Sequence, residues 1–370
     1  MAGETIATIF NALSQIMDSD LTRQWNRTTY LLKWIAESGG IKPGTGKNAA
    51  FDVEFTGATA GTVAEGSDIQ STEYNSDINE PAIFSWATYR TSFQISEQEV
   101  DAARTSVGTP ERLRDLFGSR IISANAILAK SVEQDMLTGT GVDSNGNPTL
   151  VGIFGGAISA SGIYGGLNPA TYSEWAGTLL ANGGTLRSLT PNLMNQADNQ
   201  IFVNSSIPWN LIVTDAAIAA KYEQFFTTGS FNNGGIPLAR MNDGAANPGY
   251  GLGAAMDGQG QMDNLLWKGK RVQRNPLSPA NKMAFLNTEF IKLQYLPHLP
   301  TRNEIEFFES LGLTGSSGDE AATRMTVPLP VRFIEVAKTG DSHKISARLT
   351  VAAAVTRRNA MAILQDISES

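Results

Sequence analysis

Few residues in this chain are of a type and spacing that could do chemistry. Gly139 and Gly141 close the stretch SVEQDMLTGTG at residues 131–141. Two glycines so close together can cradle a phosphate, because unhindered backbone N–H groups then meet the anion where a strand runs into a helix N-terminus. Here they follow a helical pattern, at the negative end of the helix, where a glycine past the last apolar residue acts as a left-handed cap. The pair therefore reads as a helix stop. His298 and His343 each lack a carboxylate or second histidine at ligand spacing. No G-x-S-x-G elbow or Walker loop occurs. Asp18/Asp20 and Asp319/Glu320 lie in polar stretches, where burial would not tune a carboxyl for acid–base work. Asp215 sits between an apolar run and a helical pattern, the place of a cap. Lys268, Lys270, Arg271 and Arg274 read as one solvated strand face. The expectation is no enzyme: no catalytic residue, no cofactor and no metal. A metal-dependent hydrolase with carboxylate ligands stays as an alternative, because such a site leaves no spacing signature.

Composition narrows the function classes further. The chain has 370 residues, 41% of them hydrophobic and 17% charged, with 36 glycines. The apolar share suffices for a real core, and the sparse charge leaves a polar surface open to protein contact. A net charge of -8 argues against a protein that grips nucleic acid by neutralising phosphates, though not against one that encloses it. Absence of cysteine excludes disulfides and thiolate zinc. MAGETIATIF lacks the basic start of a secretion signal, and no apolar run reaches the ~18 residues of a membrane span. A cytoplasmic origin is expected, with no membrane partner.

The elements that would position these residues follow from periodicity. TIATIFNALSQIM at 5–17 places Phe10 and its apolar neighbours three or four apart, an amphipathic helix. WNRTTYLLKWIAESGG then supplies Trp25 and Trp34, a sequence able to pack on its own chain or a neighbour. Residues 48–95 open and close on alternating strands, with Phe51, Val53 and Phe55 first and Trp86, Thr88, Phe93 and Ile95 last. Their middle is acidic, with Glu65, Asp68, Glu73, Asp77 and Glu80, and Asn48 to Tyr89 holds no Lys or Arg. An isolated hairpin is marginal in water, so this excursion must lean on its own body or another subunit. Thr109 and Pro110 start a helix over 109–138, with Leu113, Leu116, Phe117, Ile121, Ala124, Ile127, Leu128, Val132, Met136 and Leu137 on one stripe. A helix of that length, on the order of 40 Å, suits a spine. Further helices are expected near Ser173–Ala181 and Thr190–Asn199, and a buried strand at Leu211–Val213 leads into another. A glycine- and asparagine-rich loop fills 229–262. VRFIEVAKTGDS and SHKISARLTVAAAV form a hairpin turning at Gly340–Asp341, with NAMAILQDI as a third short piece.

The order of these parts, together with EPAIFSWATYRTSFQISEQEVDAA, LRDLFGSRIISANAILAKSVEQDMLTGTG, NKMAFLNTEFIKLQYLPH and RLTVAAAVTRRNAMAILQDI, resembles the major capsid proteins of tailed bacteriophages. That is the Hong Kong-phage-type fold, shared with encapsulins. The resemblance implies an α+β chain divided into five parts. These are an N-terminal arm (1–47), an extended β-hairpin loop (48–95), a spine helix with the first part of a peripheral domain (96–185), an axial domain (186–328) with the insertion 229–262, and closing peripheral strands (329–370). It implies a homo-oligomer of hexamers and pentamers in an icosahedral virion shell, assembled in the host cytoplasm around double-stranded DNA. Separate scaffolding, portal and decoration proteins are the expected partners, and an encapsulin-like cargo shell is the alternative. Inter-subunit contacts would fall on Glu65, Asp68, Glu73, Tyr74 and Asp77 of the loop and on Phe10, Trp25 and Trp34 of the arm. Some relatives cross-link through a lysine in the loop; this chain has no lysine from Asn48 to Ala129, so that chemistry is not expected here. Only about forty residues precede the loop, so a scaffolding segment would be a separate protein or already removed.

Overall fold

The computed structural model describes residues 29–55, 79–96, 98, 109–227, 251–252, 265–298, 331–336 and 342–368. The expected helix at 5–17, the loop middle at 56–78, most of the 229–262 insertion and the turn at Gly340–Asp341 lie outside them.

Two sheets and a long helix organise the chain. A short helix, α1 (Tyr30–Glu37), leads into β1 (Ile41–Pro43) and then the hairpin β2 (Ala49–Glu54) and β3 (Asn79–Phe84). The hairpin strands run antiparallel from Ala49↔Phe84 to Glu54↔Asn79, and Phe51 and Val53 are buried while Asp52 and Glu54 face out. The next strand, β4 (Ala87–Ser96), leaves the hairpin and pairs along its whole length with β15 (Ser342–Val355). This corrects the sequence reading, which gave the return strand of the excursion to Trp86, Thr88, Phe93 and Ile95. The turn at Trp86 separates the two strands, its indole Nε1 donating to the Gly46 carbonyl at 3.1 Å.

The spine helix α2 (Thr109–Thr138) has the expected bounds, and its 30 residues span about 45 Å. Ile121, Ala124, Leu128, Val132, Met136 and Leu137 are buried on the predicted stripe, whereas Ile127 is 52% exposed. Between Ile121 and Leu137 the buried arc turns instead toward Asn125, Ala129 and Glu133. Ala124 and Leu128 pack on Ala347 of β15, with Tyr89, Phe93, Val331, Phe333 and Leu349 around them. After a small hairpin, β5 (Thr140–Val142) and β6 (Pro148–Val151), the expected helix at Ser173–Ala181 is absent. In its place stand one tight turn at Ser173–Trp175 and a strand, β7 (Thr178–Leu180), whose leucines pair with a strand almost two hundred residues later.

Helix α3 (Pro191–Ser205) is capped by Thr190, whose hydroxyl accepts from the Leu193 N–H at 3.2 Å. Strand β8 (Leu211–Thr214) and helix α4 (Ala216–Thr227) follow as expected. Then come β9 (Gly251–Leu252), β10 (Leu265–Trp267), β11 (Lys270–Arg274), β12 (Met283–Leu286), β13 (Ile291–Tyr295) and β14 (Val331–Val336). The chain closes with β15 and β16 (Ala362–Leu364). One sheet runs β1-β13-β15-β14 with β4 also on β15; the other runs β7-β16-β12-β8-β11-β10-β9. Consecutive strands β12 and β13 thus enter different sheets, and β16 lies between β12 and β7, apart from its predecessor β15.

Burial follows the strand period of two. Leu211, Val213, Ala284, Leu286 and Ile363 face a core shared with α1, β2, β3 and Val351–Val355. Ile212, Met283, Phe285, Ala362 and Leu364 face a second core built with α3 and α4. Val351–Val355 is buried at every position, because here β15 carries a continuous apolar run and is covered on both faces.

Candidate functional site

Gly139 and Gly141 sit where the spine helix ends, but for different reasons. Gly141 has φ +92°, a left-handed conformation that favours glycine. Gly139 lacks a positive φ, so it is not the left-handed cap expected from sequence. Its N–H continues the helix to the Asp135 carbonyl at 2.8 Å, and its own carbonyl accepts from Gly152 N–H at 2.8 Å. A Cβ there would enter the Leu150 carbonyl. The stretch is a backbone crossing at the C-terminus of a helix, whose dipole disfavours an anion.

Other sequence candidates for chemistry resolve into structural contacts. The carboxylate of Asp215 accepts from the Ile218 N–H at 3.1 Å, a helix cap. The basic cluster on β10–β11 is a set of engaged cations and not a solvated face. Lys268 lies 2.6 Å from Asp198, which also accepts from Trp209 Nε1 at 2.6 Å. The Lys270 ammonium stands 4.4 Å above the Trp209 ring, and burial lowers its pKa. Arg271 lies 5.9 Å from the Trp34 ring centre, and Arg274 pairs with Glu223. Among the described residues no group of three His, Asp or Glu could hold a metal, and no helix is long and apolar enough to cross a membrane. The groove at Ser173, Glu174, Thr178, Gln200, Asn204 and Asn359 is lined by small neutral polar groups around one acid, without a base or nucleophile paired to it.

Two buried charges that sequence reasoning missed hold the parts of the fold together. Glu133, on the spine helix, is fully buried. Its carboxylate accepts from the Leu31 and Leu32 N–H groups at 3.3 Å each and from Asn275 Nδ2 at 2.6 Å. Thr29 makes no side-chain cap for α1, so Glu133 caps that helix from a hundred residues away. Burial pushes its pKa up to about 7, against the Asn275 amide and the backbone N–H groups at the start of α1, which favour the anion. Arg358 is also fully buried, without a carboxylate partner among the described residues. Its guanidinium donates to the carbonyls of Ala157 at 2.6 Å, Ser159 at 3.0 Å, Gly162 at 3.3 Å and Gly156 at 3.4 Å. Its centre lies 5.1 Å from the Tyr164 ring and 5.5 Å from the Trp175 ring. The Tyr164 hydroxyl accepts from the Val355 N–H at 2.9 Å. Arg358 thereby fastens the chain's closing strands to the loop that follows the spine. Only the buried arc of the helix hinted at Glu133; nothing local marked Arg358.

Of the predicted contact residues, Glu65, Asp68, Glu73, Tyr74, Asp77, Phe10 and Trp25 lie outside the described residues. Trp34 is half-buried against the first core. Phe202 and Val203, at the end of α3, are 65% and 79% exposed, beside β7 through the bond from Asn204 Nδ2 to Thr178 Oγ1 at 3.0 Å. Adjacent exposed apolar side chains beside a sheet edge are features of a contact surface.

No protein-family model and no curated protein matches the sequence. Solved structures do match over most of the chain. A cyanophage A-1(L) capsid asymmetric unit superposes with a TM-score of 0.60 at 16% identity, covering 88% of this chain and 89% of that one. The capsid of a native GTA particle gives a TM-score of 0.51 at 11% identity, covering 90% of each chain. A hairpin, a 30-residue helix across one sheet, and a second sheet backed by two helices therefore combine here into the major capsid fold of the Hong Kong-phage type.

Proposed function

We propose that this chain is a structural shell subunit, the major capsid protein of a tailed phage, which self-assembles into an icosahedral head around double-stranded DNA. The observation that carries the reading is the likeness to a phage capsid subunit over 88% of the chain. In this reading the five parts keep the sequence-based boundaries. The loop residues Glu65, Asp68, Glu73, Tyr74 and Asp77 and the arm residues Phe10, Trp25 and Trp34 lie against neighbouring subunits. The hairpin root β2–β3 is anchored on the subunit's own core, which leaves the acidic middle to reach a neighbour and pair there by strand addition. Many interfaces of roughly 1,600 Å² each would close rings and then a shell. Scaffolding, portal and decoration proteins are separate partners, the virion is the final location, and the host cytoplasm is the place of assembly. A net charge of -8 keeps the inner wall from gripping the packaged DNA.

Electron microscopy and sedimentation of the purified chain, alone and with scaffold, test this. Closed particles of repeated hexamers and pentamers are expected. A monomer that persists under every assembly condition would overturn the proposal. Particles that co-purify with an enzyme and without nucleic acid would replace the head by an encapsulin-like compartment. Hydrolysis lost on chelation would move the reading to the metal-dependent hydrolase.

A further inference from the structure

Helix α3 turns a line of uncharged side chains outward. Leu193, Met194, Ala197, Ile201 and Ser205 are its buried positions. Asn192, Gln196, Asn199 and Val203 recur at spacings of four, three and four, so they share the opposite face, and Phe202 stands beside Val203. All five are exposed, Phe202 and Val203 most of all for large apolar groups on this helix. The helix holds one charged residue, Asp198, and that carboxylate is already occupied by Lys268 and Trp209 of its own chain. Among the described residues the Asn204 amide is the one on this helix bonded to another element, at Thr178 Oγ1.

Helix stability does not explain this choice of residues. Asparagine is a poorer helix former than lysine or glutamate, yet it takes the exposed positions 192 and 199. A face without charge, with an exposed aromatic and amides that both donate and accept, has the composition of the core of a protein–protein interface. The charge of the whole chain narrows the partner. Two copies at -8 each repel one another, so identical chains meet closely only where charge is absent. A strongly charged partner would find no counter-charge on this face. At about 1.5 Å per residue the face is about 22 Å long and about 10 Å wide. That is far short of the roughly 800 Å² per partner of a stable pair. The face therefore closes only where other contacts already hold two copies together, as in a ring.

We propose that the outer face of α3, centred on Asn199, Phe202 and Val203, is buried against a second copy of this chain in the assembled particle. This rests on the reading that the chain assembles into a shell.

The full chain has no cysteine, so one introduced thiol reports on this face alone. Asn199→Cys and Val203→Cys, made separately, should react quickly with a small maleimide in the dilute chain and about tenfold more slowly in particles. Phe202→Lys with Val203→Lys puts cations near the helix C-terminus, where the dipole favours them, so the dilute chain should keep its urea midpoint. Burying those ammonium groups unpaired should cut particle yield by about tenfold, read by sedimentation. Particles whose thiols label as fast as the dilute chain would overturn the proposal and leave the shell reading standing. A dilute chain already unreactive at both thiols would overturn it too, since the chain would be covering its own face. Slow labelling with an unchanged yield of the lysine variant would assign the face to the inner wall and not to a contact. Slow labelling only while a scaffold protein is present would give the face to the scaffold, which also overturns the proposal. A wild type that forms no particles would remove the shell reading, and the proposal with it.

Discussion

Glu133 makes the stability of this fold depend on pH in a way that one substitution isolates. The carboxylate is fully buried, and its pKa rises from 4.5 to about 7. An acid with a raised folded pKa stabilises the fold most when protonated. Its contribution is complete below the unfolded value of 4.5 and is lost as pH climbs through about 7. A shift of that size amounts to about 3 kcal/mol across the window, at about 1.4 kcal/mol per unit. Glu133→Gln removes the titration. It also turns an NH2 group toward one of the three donors that now meet carboxylate oxygens, a pH-independent loss of about 1–3 kcal/mol. Urea unfolding followed by tryptophan fluorescence, on dilute protein, should therefore show the stability of the wild type falling relative to Glu133→Gln by about 2–3 kcal/mol between pH 5 and pH 8. Taking the difference between the chains cancels the other titrating groups. Parallel curves from pH 5 to 8 would refute the reasoning, since burial would then not be governing this carboxylate.

Two further substitutions probe the other joints. Arg358→Lys should lower stability by about 3–5 kcal/mol in the same urea assay. A single ammonium cannot reach four carbonyls while lying against the Tyr164 and Trp175 rings, and the stranded carbonyls stay buried; wild-type stability in the lysine chain would show that the fork geometry is irrelevant. Gly139→Ala should prevent folding or destabilise by several kcal/mol, because its Cβ meets the Leu150 carbonyl; Gly146→Ala, with φ +81° and open space, should cost only about 1 kcal/mol of backbone strain. Equal thermal midpoints for those two alanine variants would mean that the crossing at Gly139 can relax.

What was legible in the sequence was local. Helix α2 kept its expected bounds because cap, proline and apolar stripe all lie within the segment they describe. The β8–α4 unit and the β14–β15 pairing were likewise carried by short-range pattern. Misreadings came where a distant partner decided. Thr178–Leu180 became a strand because β16 offered it a ladder, overriding a weak helical pattern. Asn79–Phe84, and not the stronger run after it, closed the hairpin, because β15 claimed Ala87–Ser96. Glu133 lies off the predicted apolar stripe, and its role exists only because α1 brings unsatisfied N–H groups to it.

By itself, then, the sequence determined the kinds of element and their order, along with the poverty of catalytic groups and the charge imbalance between its acidic loop and the rest. These depend on residue type and on periods of two and 3.6, which one chain segment expresses alone. Only the tertiary structure decided which sheet each strand entered, why Gly139 must be glycine, and which distant groups Glu133 and Arg358 meet. Sheet register joins residues far apart in the chain, so those placements exist only once the whole fold has closed.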